Sequence, residues 1–198
     1  MGRLMSLPLK FHKILAATLF ACALGALAAA GNTPADVMDL AGHAFDPFQA
    51  AAGTPVVLIF VRTDCPIANR YAPEIQRLSL EHQGKAKFFL VYVDKKESSE
   101  AIRKHDQDYK YRLTAVRDLQ HSLVRQSLAQ ITPEAAVFDA KHRLIYHGRI
   151  DNLYEDFGHT RKSATTHELD AAIRAAITGK PLPLTSVPAV GCYISDVE

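Results

Sequence analysis

Val56-Val57-Leu58-Ile59-Phe60-Val61 leads through Arg62-Thr63-Asp64 into Cys65-Pro66-Ile67-Ala68-Asn69-Arg70-Tyr71-Ala72-Pro73. Six apolar residues without alternation predict a strand buried on both faces, as in the middle of an α/β sheet. Pro66 suits a first helical position. Ile67, Tyr71, Ile75 and Leu78 recur at helical spacing, with Arg70, Glu74, Arg77 and Glu81 on the solvated face between them. Pro73 is expected to kink that helix. Cys65 therefore stands where a buried strand becomes a helix. Amides at a helix start lack intrahelical partners and, with the macrodipole, favour a nearby anion, so a thiol there is expected to be accessible, easily ionised and reactive. A small buried hydrophobe is the alternative reading of a lone cysteine. The neighbouring charges pull both ways, since Asp64 disfavours a thiolate whereas Arg62 and Arg70 favour it.

Outward from this stretch, Asp36–Leu40 and His43–Pro47 read as short edge strands around Gly42, and Gly53-Thr54-Pro55 as the turn into the buried run. Lys87–Val93 predicts a second strand, Ser98–Tyr109 a polar helix opened by its serine pair, and Leu113–Val116 a third strand. Asp118–Ala129 reads as a short helix with Leu119, Leu123, Val124 and Leu128 on one face. Ala135–Phe138 and Leu144–Gly148 flank a turn at Asp139–His142 and predict a β-hairpin. Residues 151–164 are polar and aromatic without periodicity, which predicts a long and therefore functional loop. Thr165-Thr166-His167-Glu168 reads as a capping box for a last helix with Leu169, Ala172, Ile173, Ala176 and Ile177 on its apolar face and Gly179 as its stop. A proline-rich tail then carries Gly191-Cys192-Tyr193-Ile194, expected to lie as an extended strap over the domain.

The chain has 198 residues. Arg3, Lys10 and Lys13 precede an apolar run from Ile14 to Leu27 ending in small residues, the pattern of a cleavable export signal over 1–30, with an uncleaved anchor as the alternative. Residues 31–179 then form one domain and 180–198 the tail, in a periplasmic or otherwise extracytoplasmic protein. The formal charge of +2 comes from the signal: removing its three basic residues, with no acidic residue among 1–30, leaves −1. No basic face points to nucleic acid, and nothing beyond the signal segment points to a membrane. Of three cysteines, Cys22 would leave with the signal, so that Cys65 and Cys192 remain, a pair that an oxidising compartment permits to bond.

Strand, cysteine at a helix start, proline eight residues on, strand, helix, then Thr132-Pro133 before a hairpin and closing helix resembles the thioredoxin fold over residues 36–179, a central mixed β-sheet flanked by helices. By that resemblance Pro133 is the cis-proline whose preceding residue, Thr132, lies against the active sulfur and shapes the substrate groove. The runs Thr63–Glu74, Gly148–Asn152 and Gly191–Ile194 are similar to exported redoxin-domain proteins of the peroxiredoxin and thiol-disulfide oxidoreductase superfamily. Two departures are visible. Ala68 stands where thioredoxins carry a second cysteine, and Arg62 stands where peroxiredoxins carry threonine or serine, with Thr63 one place late. Copper-delivery proteins of this fold use two cysteines four apart, where Asn69 occupies the fourth position.

The resemblance implies an oxidoreductase with Cys65 as nucleophile and Cys192 as resolving thiol or staple, since Ala68 removes the local one. Asp64, Pro66, Asn69 and Arg149 are the supporting residues, Arg149 as an anion-orienting group or a solvated partner of Asp151. His121, His147, His159 and His167 read singly as surface or capping residues, with His159 and Arg161 the best placed to approach a site. The expected partners are a protein thiol or disulfide, or a small peroxide, together with an external electron donor. No cofactor or resident metal is implied. The alternative is a copper-handling or partner-binding module of the same fold without turnover.

Overall fold

Residues 56–61 form the central strand of a seven-stranded sheet in the computed structural model, which describes residues 1, 2, 37–182 and 185–195. The export segment expected over 1–30 lies outside the described residues apart from its first two. Among the described residues, no helix is long and apolar enough to cross a membrane. In chain order the elements are β1 (Val37–Asp39), α1 (Pro47–Ala51), β2 (Val56–Val61), α2 (Pro66–Arg70), α3 (Ala72–Glu81), β3 (Lys87–Tyr92), α4 (Ser99–Asp108), β4 (Thr114–Asp118) and α5 (Ser122–Ser127). They continue with β5 (Ile131–Thr132), β6 (Glu134–Phe138), β7 (Leu144–Gly148), β8 (Tyr154–Asp156), β9 (His159–Thr160), α6 (Glu168–Thr178), β10 (Ser186–Val187) and β11 (Cys192–Tyr193).

The sheet order is β1-β4-β3-β2-β6-β7-β10. β2, β3 and β4 run parallel, β6 runs antiparallel to β2, β7 antiparallel to β6, β10 parallel to β7, and β1 antiparallel at the edge of β4. This is the mixed α/β architecture expected. Every residue of β2 is fully buried, and the period-two alternation of a strand deals them to two cores. Val57, Ile59 and Val61 pack with Ile67, Tyr71, Ile75 and Leu78 of the first helical pair and with Leu169 and Ile173 of α6. Val56, Leu58 and Phe60 pack on the other face with Phe48 of α1 and with Leu123 and Val124 of α5. Pro73 does interrupt its helix: the chain breaks at Tyr71, with α2 before it and α3 after.

Several local expectations are corrected. His43–Pro47 is not a strand, because only Ala44 bridges to Met38, and Asp46 with Pro47 starts α1, the carboxylate accepting from the amide of Phe48 at 2.8 Å. The helix expected from Asp118 begins only at Ser122. Asp118 ends β4 fully buried, and its carboxylate accepts from the amides of Ser122 at 2.8 Å and Val124 at 2.9 Å, so it holds the helix start from outside. Leu128 then falls on the solvent side, in a left-handed C-cap. Residues 151–164 contain a small hairpin of β8 and β9. The capping box does not form. His167 occupies the N-cap without a side-chain bond, and the amides of Thr165 and Thr166 donate instead to the Asn152 side chain at 2.7 and 3.0 Å. Gly179 does end α6, in a left-handed conformation.

Ile59→Ala would leave a cavity in the first core beneath α2 and α6. Chemical denaturation should report a loss of about 2–5 kcal/mol, and a loss well under 1 kcal/mol would show that this strand is not the sheet's packed centre.

Candidate thiol site

The loop between β2 and α2 is held by side chains from α4 and its approach. The Thr63 amide and hydroxyl both donate to Glu97 Oε1, at 2.7 and 2.8 Å. Burial raises the Glu97 carboxyl above its ordinary range, and these two bonds work against that rise. Asn69 Nδ2 donates to the Thr63 carbonyl at 3.0 Å, which leaves Asn69 Oδ1 facing His105 Nε2 at 2.7 Å, so that this ring nitrogen carries the proton. His105 Nδ1 lies 2.7 Å from the Tyr92 hydroxyl, which also reaches Asp106 at 2.7 Å. Burial lowers the His105 pKa and raises that of Asp106. Arg62 reaches outward to Asp64 at 3.0 Å and Asp94 at 3.2 Å.

Cys65 occupies the N-cap of α2, with Pro66 as the first helical residue, and its side chain has no solvent exposure. This corrects the expectation of an accessible thiol. It belongs to the first core, against which Val190 and Cys192 of the tail also pack. The Cys65 thiol donates to the Thr132 carbonyl at 3.0 Å, and Thr132 precedes Pro133 through a cis peptide bond. β11 pairs antiparallel with β5, with Cys192 opposite Thr132 and Tyr193 opposite Ile131. The Thr132 hydroxyl donates to the Cys192 carbonyl at 3.3 Å. Both cysteines are free thiols, and Cys192, opposite Thr132 in the β11–β5 pair, lies near Cys65. Burial first, and then the nearness of Cys65, push the Cys192 thiol up to about 11, with Arg62 opposing and Asp64 adding to the rise.

The structure thus brings Cys65, Thr132, Pro133 and Cys192 into one cluster, with Pro66 and Asn69 on α2 beside it and exposed Asp64 tied to Arg62. It does not bring Arg149 to the sulfur. Arg149 pairs with Glu168 at the start of α6 rather than with Asp151, whose carboxylate accepts the Tyr71 hydroxyl at 2.6 Å. His121 is buried, not superficial, with its ring on the Val93 carbonyl at 2.8 Å, and half-buried His147 pairs with Glu134 at 3.2 Å. Arg161 bonds Glu155 and the Asn152 carbonyl, within and beside the β8–β9 hairpin. Among the described residues, the groupings of three ligand-type side chains are Glu74–Asp151–His167 and Glu81–His82–Asp170, and neither includes a cysteine. Sequence reasoning missed Glu134, which is buried directly after Pro133 and accepts from the amides of Gln130 at 2.8 Å and Ile131 at 3.2 Å, fixing β5. An acidic residue next to the cis-proline position was its only signal. In the reduced protein, the Cys192 13Cβ resonance should titrate with a midpoint of about 11. A midpoint near the ordinary thiol value of about 8.5 would mean that Cys192 does not lie buried against Cys65.

A family model described as the AhpC/TSA family matches residues 34–147, which include Cys65, Thr132 and Pro133 and stop short of Cys192. The structure is similar to that of a hypothetical protein from Sinorhizobium meliloti 1021, with a TM-score of 0.69 and 22% identity, covering 80% of this chain and 88% of that one. An uncharacterized conserved protein from Geobacillus kaustophilus gives 0.67 and 19% identity over 80% of this chain and 86% of that one. An uncharacterized thioredoxin-like protein from Porphyromonas gingivalis gives 0.55 and 16% over 77% and 95%. At these identities the likeness establishes the fold. The search of curated proteins gave no match. With the family model spanning more than half of the sequence and the strand, cysteine and cis-proline of a thioredoxin-like redoxin domain inside it, the chain belongs to the AhpC/TSA family.

Proposed function

We propose that the protein is an exported thiol-disulfide oxidoreductase in which Cys65 is the nucleophile and Cys192 the resolving thiol. The observation that carries this reading is the convergence of two far-separated cysteines on Thr132, whose carbonyl accepts the Cys65 thiol at 3.0 Å and whose backbone pairs with Cys192. Family membership supports a thiol redox role, and the export pattern of residues 1–30 supports an extracytoplasmic site of action. The chemistry balances between two thiols and one partner disulfide. Cys65, once deprotonated, attacks a partner sulfur, forming a mixed disulfide and expelling the second partner sulfur as a thiolate. Cys192 then attacks the Cys65 sulfur, closing an intramolecular disulfide and expelling the first partner sulfur. An external dithiol returns both cysteines to thiols. Ala68, buried where the local resolving cysteine of thioredoxins would lie, leaves this second attack to the tail.

Cys192 must be deprotonated to attack, and its burial disfavours that thiolate, so resolution should accelerate as pH rises. Arg62 favours the Cys192 thiolate and is the nearby group that eases this step.

Cys192→Ser should accumulate a mixed disulfide at Cys65 with a disulfide substrate, and Cys65→Ser should abolish reaction altogether. Mass mapping of the wild type after mild oxidation should return a Cys65–Cys192 linkage. Full turnover by Cys65→Ser would remove the nucleophile, and full turnover by Cys192→Ser without a trapped adduct would remove the resolving role. Stoichiometric Cu(I) binding by the reduced pair, without any reductase or peroxidase turnover, would favour the metal-handling reading.

A further inference from the structure

The tail is fastened to the domain at two places where backbone lies directly on backbone, and glycine makes each possible. At the first, β10 runs parallel to β7, with Val187 opposite Gly148, and the Arg149 amide donates to the Val187 carbonyl at 3.0 Å. A Cβ on Gly148 would lie 2.1 Å from the Val187 carbonyl oxygen, and the glycine's φ of +142° is a conformation that side chains rarely adopt. At the second, a Cβ on Gly191 would lie 2.1 Å from the Thr132 carbonyl oxygen, the same oxygen that accepts the Cys65 thiol. Beyond it, the Ile194 amide donates to the Gln130 carbonyl at 2.9 Å, and the Ile194 side chain is buried in the second core.

These fastenings are weak beside the sheet they cover. Each is a ladder of two residues, against six in β2. Tyr193 is 77% exposed, and Cys192 is only half-buried. Yet Cys65, beside β5 and the tail, has no exposed surface. Ile194 is the strap's one buried apolar side chain, with Val187, Val190 and Cys192 only partly buried against the first core, and a segment so held by ladders of two residues belongs nearer the low end of the local unfolding scale than β2 does. The closed strap also covers the backbone edge of β5, which would otherwise be an open pairing edge.

We propose that residues 185–195 are a releasable strap that seals Cys65 in the resting reduced protein, so that an outside sulfur reaches Cys65 only after β11 has left Thr132. The proposal rests on Cys65 being the reacting thiol, and it adds a gate set by the tail. Strap and resolving thiol are then one device. Once Cys65 has been attacked, return of the strap delivers Cys192 to it. The Cys65–Cys192 disulfide, formed as two thiols reduce one partner disulfide, then ties the strap shut until an external dithiol reopens it.

The test reads the strap directly, without any substrate. Alkylation of Cys65 by iodoacetamide, followed by mass spectrometry at neutral pH, should be slow in the reduced wild type and about tenfold or more faster in Gly191→Ala, whose new methyl group cannot share space with the Thr132 carbonyl. Thermal unfolding should confirm that the variant remains folded. In the wild type, hydrogen exchange should find the Ile194 amide opening far more readily than that of Ile59 when reduced, and slowing after oxidation with glutathione disulfide. An unchanged Cys65 rate in folded Gly191→Ala, or strap amides as protected as those of β2, would overturn the strap. Loss of turnover in Cys65→Ser with no such gating would leave the oxidoreductase reading intact, and gating without turnover would do the reverse.

Discussion

The carbonyl oxygen of Thr132 accepts the Cys65 thiol, while the same residue's backbone pairs with Cys192 across β5 and β11. Three remote parts of the chain meet at that peptide: the start of α2, the cis-proline turn before β6, and the tail. Each arrives by a separate route through the sheet. β2 delivers Cys65 from the central position, β6 lies beside it antiparallel and carries the turn, and β7 holds β10 and so directs the tail back. Moving any of these strands would separate the sulfurs, which is why the buried strand at the centre matters as much to the site as the thiols do.

The polar groups around the sulfurs are arranged to hold backbone, not to line a ligand cavity. Glu97 grips Thr63, Asn69 ties Thr63 to His105, and Glu134 fixes the two amides ahead of Thr132. Buried polar atoms are costly unless bonded, so a carboxylate that is desolvated yet spent on backbone amides acts as a rigid bracket. Two such brackets, Glu97 and Glu134, hold Thr63 ahead of Cys65 and the residues ahead of Thr132, and a third, Asp118, sets α5 on the opposite face. The Cys65 thiol itself is left with the Thr132 carbonyl.

Much of the fold was legible. The unbroken apolar run could only be a strand covered on both faces, and the helical recurrence of Ile67, Tyr71, Ile75 and Leu78 followed it directly. The hairpin, the Pro73 break and the Gly179 stop were equally plain, because each is fixed by short-range sterics. Where reading failed, a distant side chain had taken the role that a local one was expected to fill. Asn152 caps the Thr165 and Thr166 amides in place of the local box, and Asp118 holds the start of α5 from the end of a strand. Asp46-Pro47 carried a helix-start signal that was read as part of a strand.

For the site, Cys65 at a helix start and Thr132-Pro133 were visible as local patterns, since a thiol after a buried strand and a proline before a hairpin are both statements about neighbours in sequence. Exposure was misread for the same reason. Helix-start chemistry says nothing about what chain returns to cover it, and the covering segment comes 127 residues later. The sequence by itself determined a two-faced sheet, the place of the thiol within it and the presence of a second cysteine in a proline-rich tail. Only the tertiary structure decided that both cysteines come to Thr132, that the first of them is buried, and that Arg149 is spent on Glu168. Periodicity and spacing record which face of an element is buried; they carry no term for which distant backbone, admitted by Gly148 and Gly191, comes to lie against it.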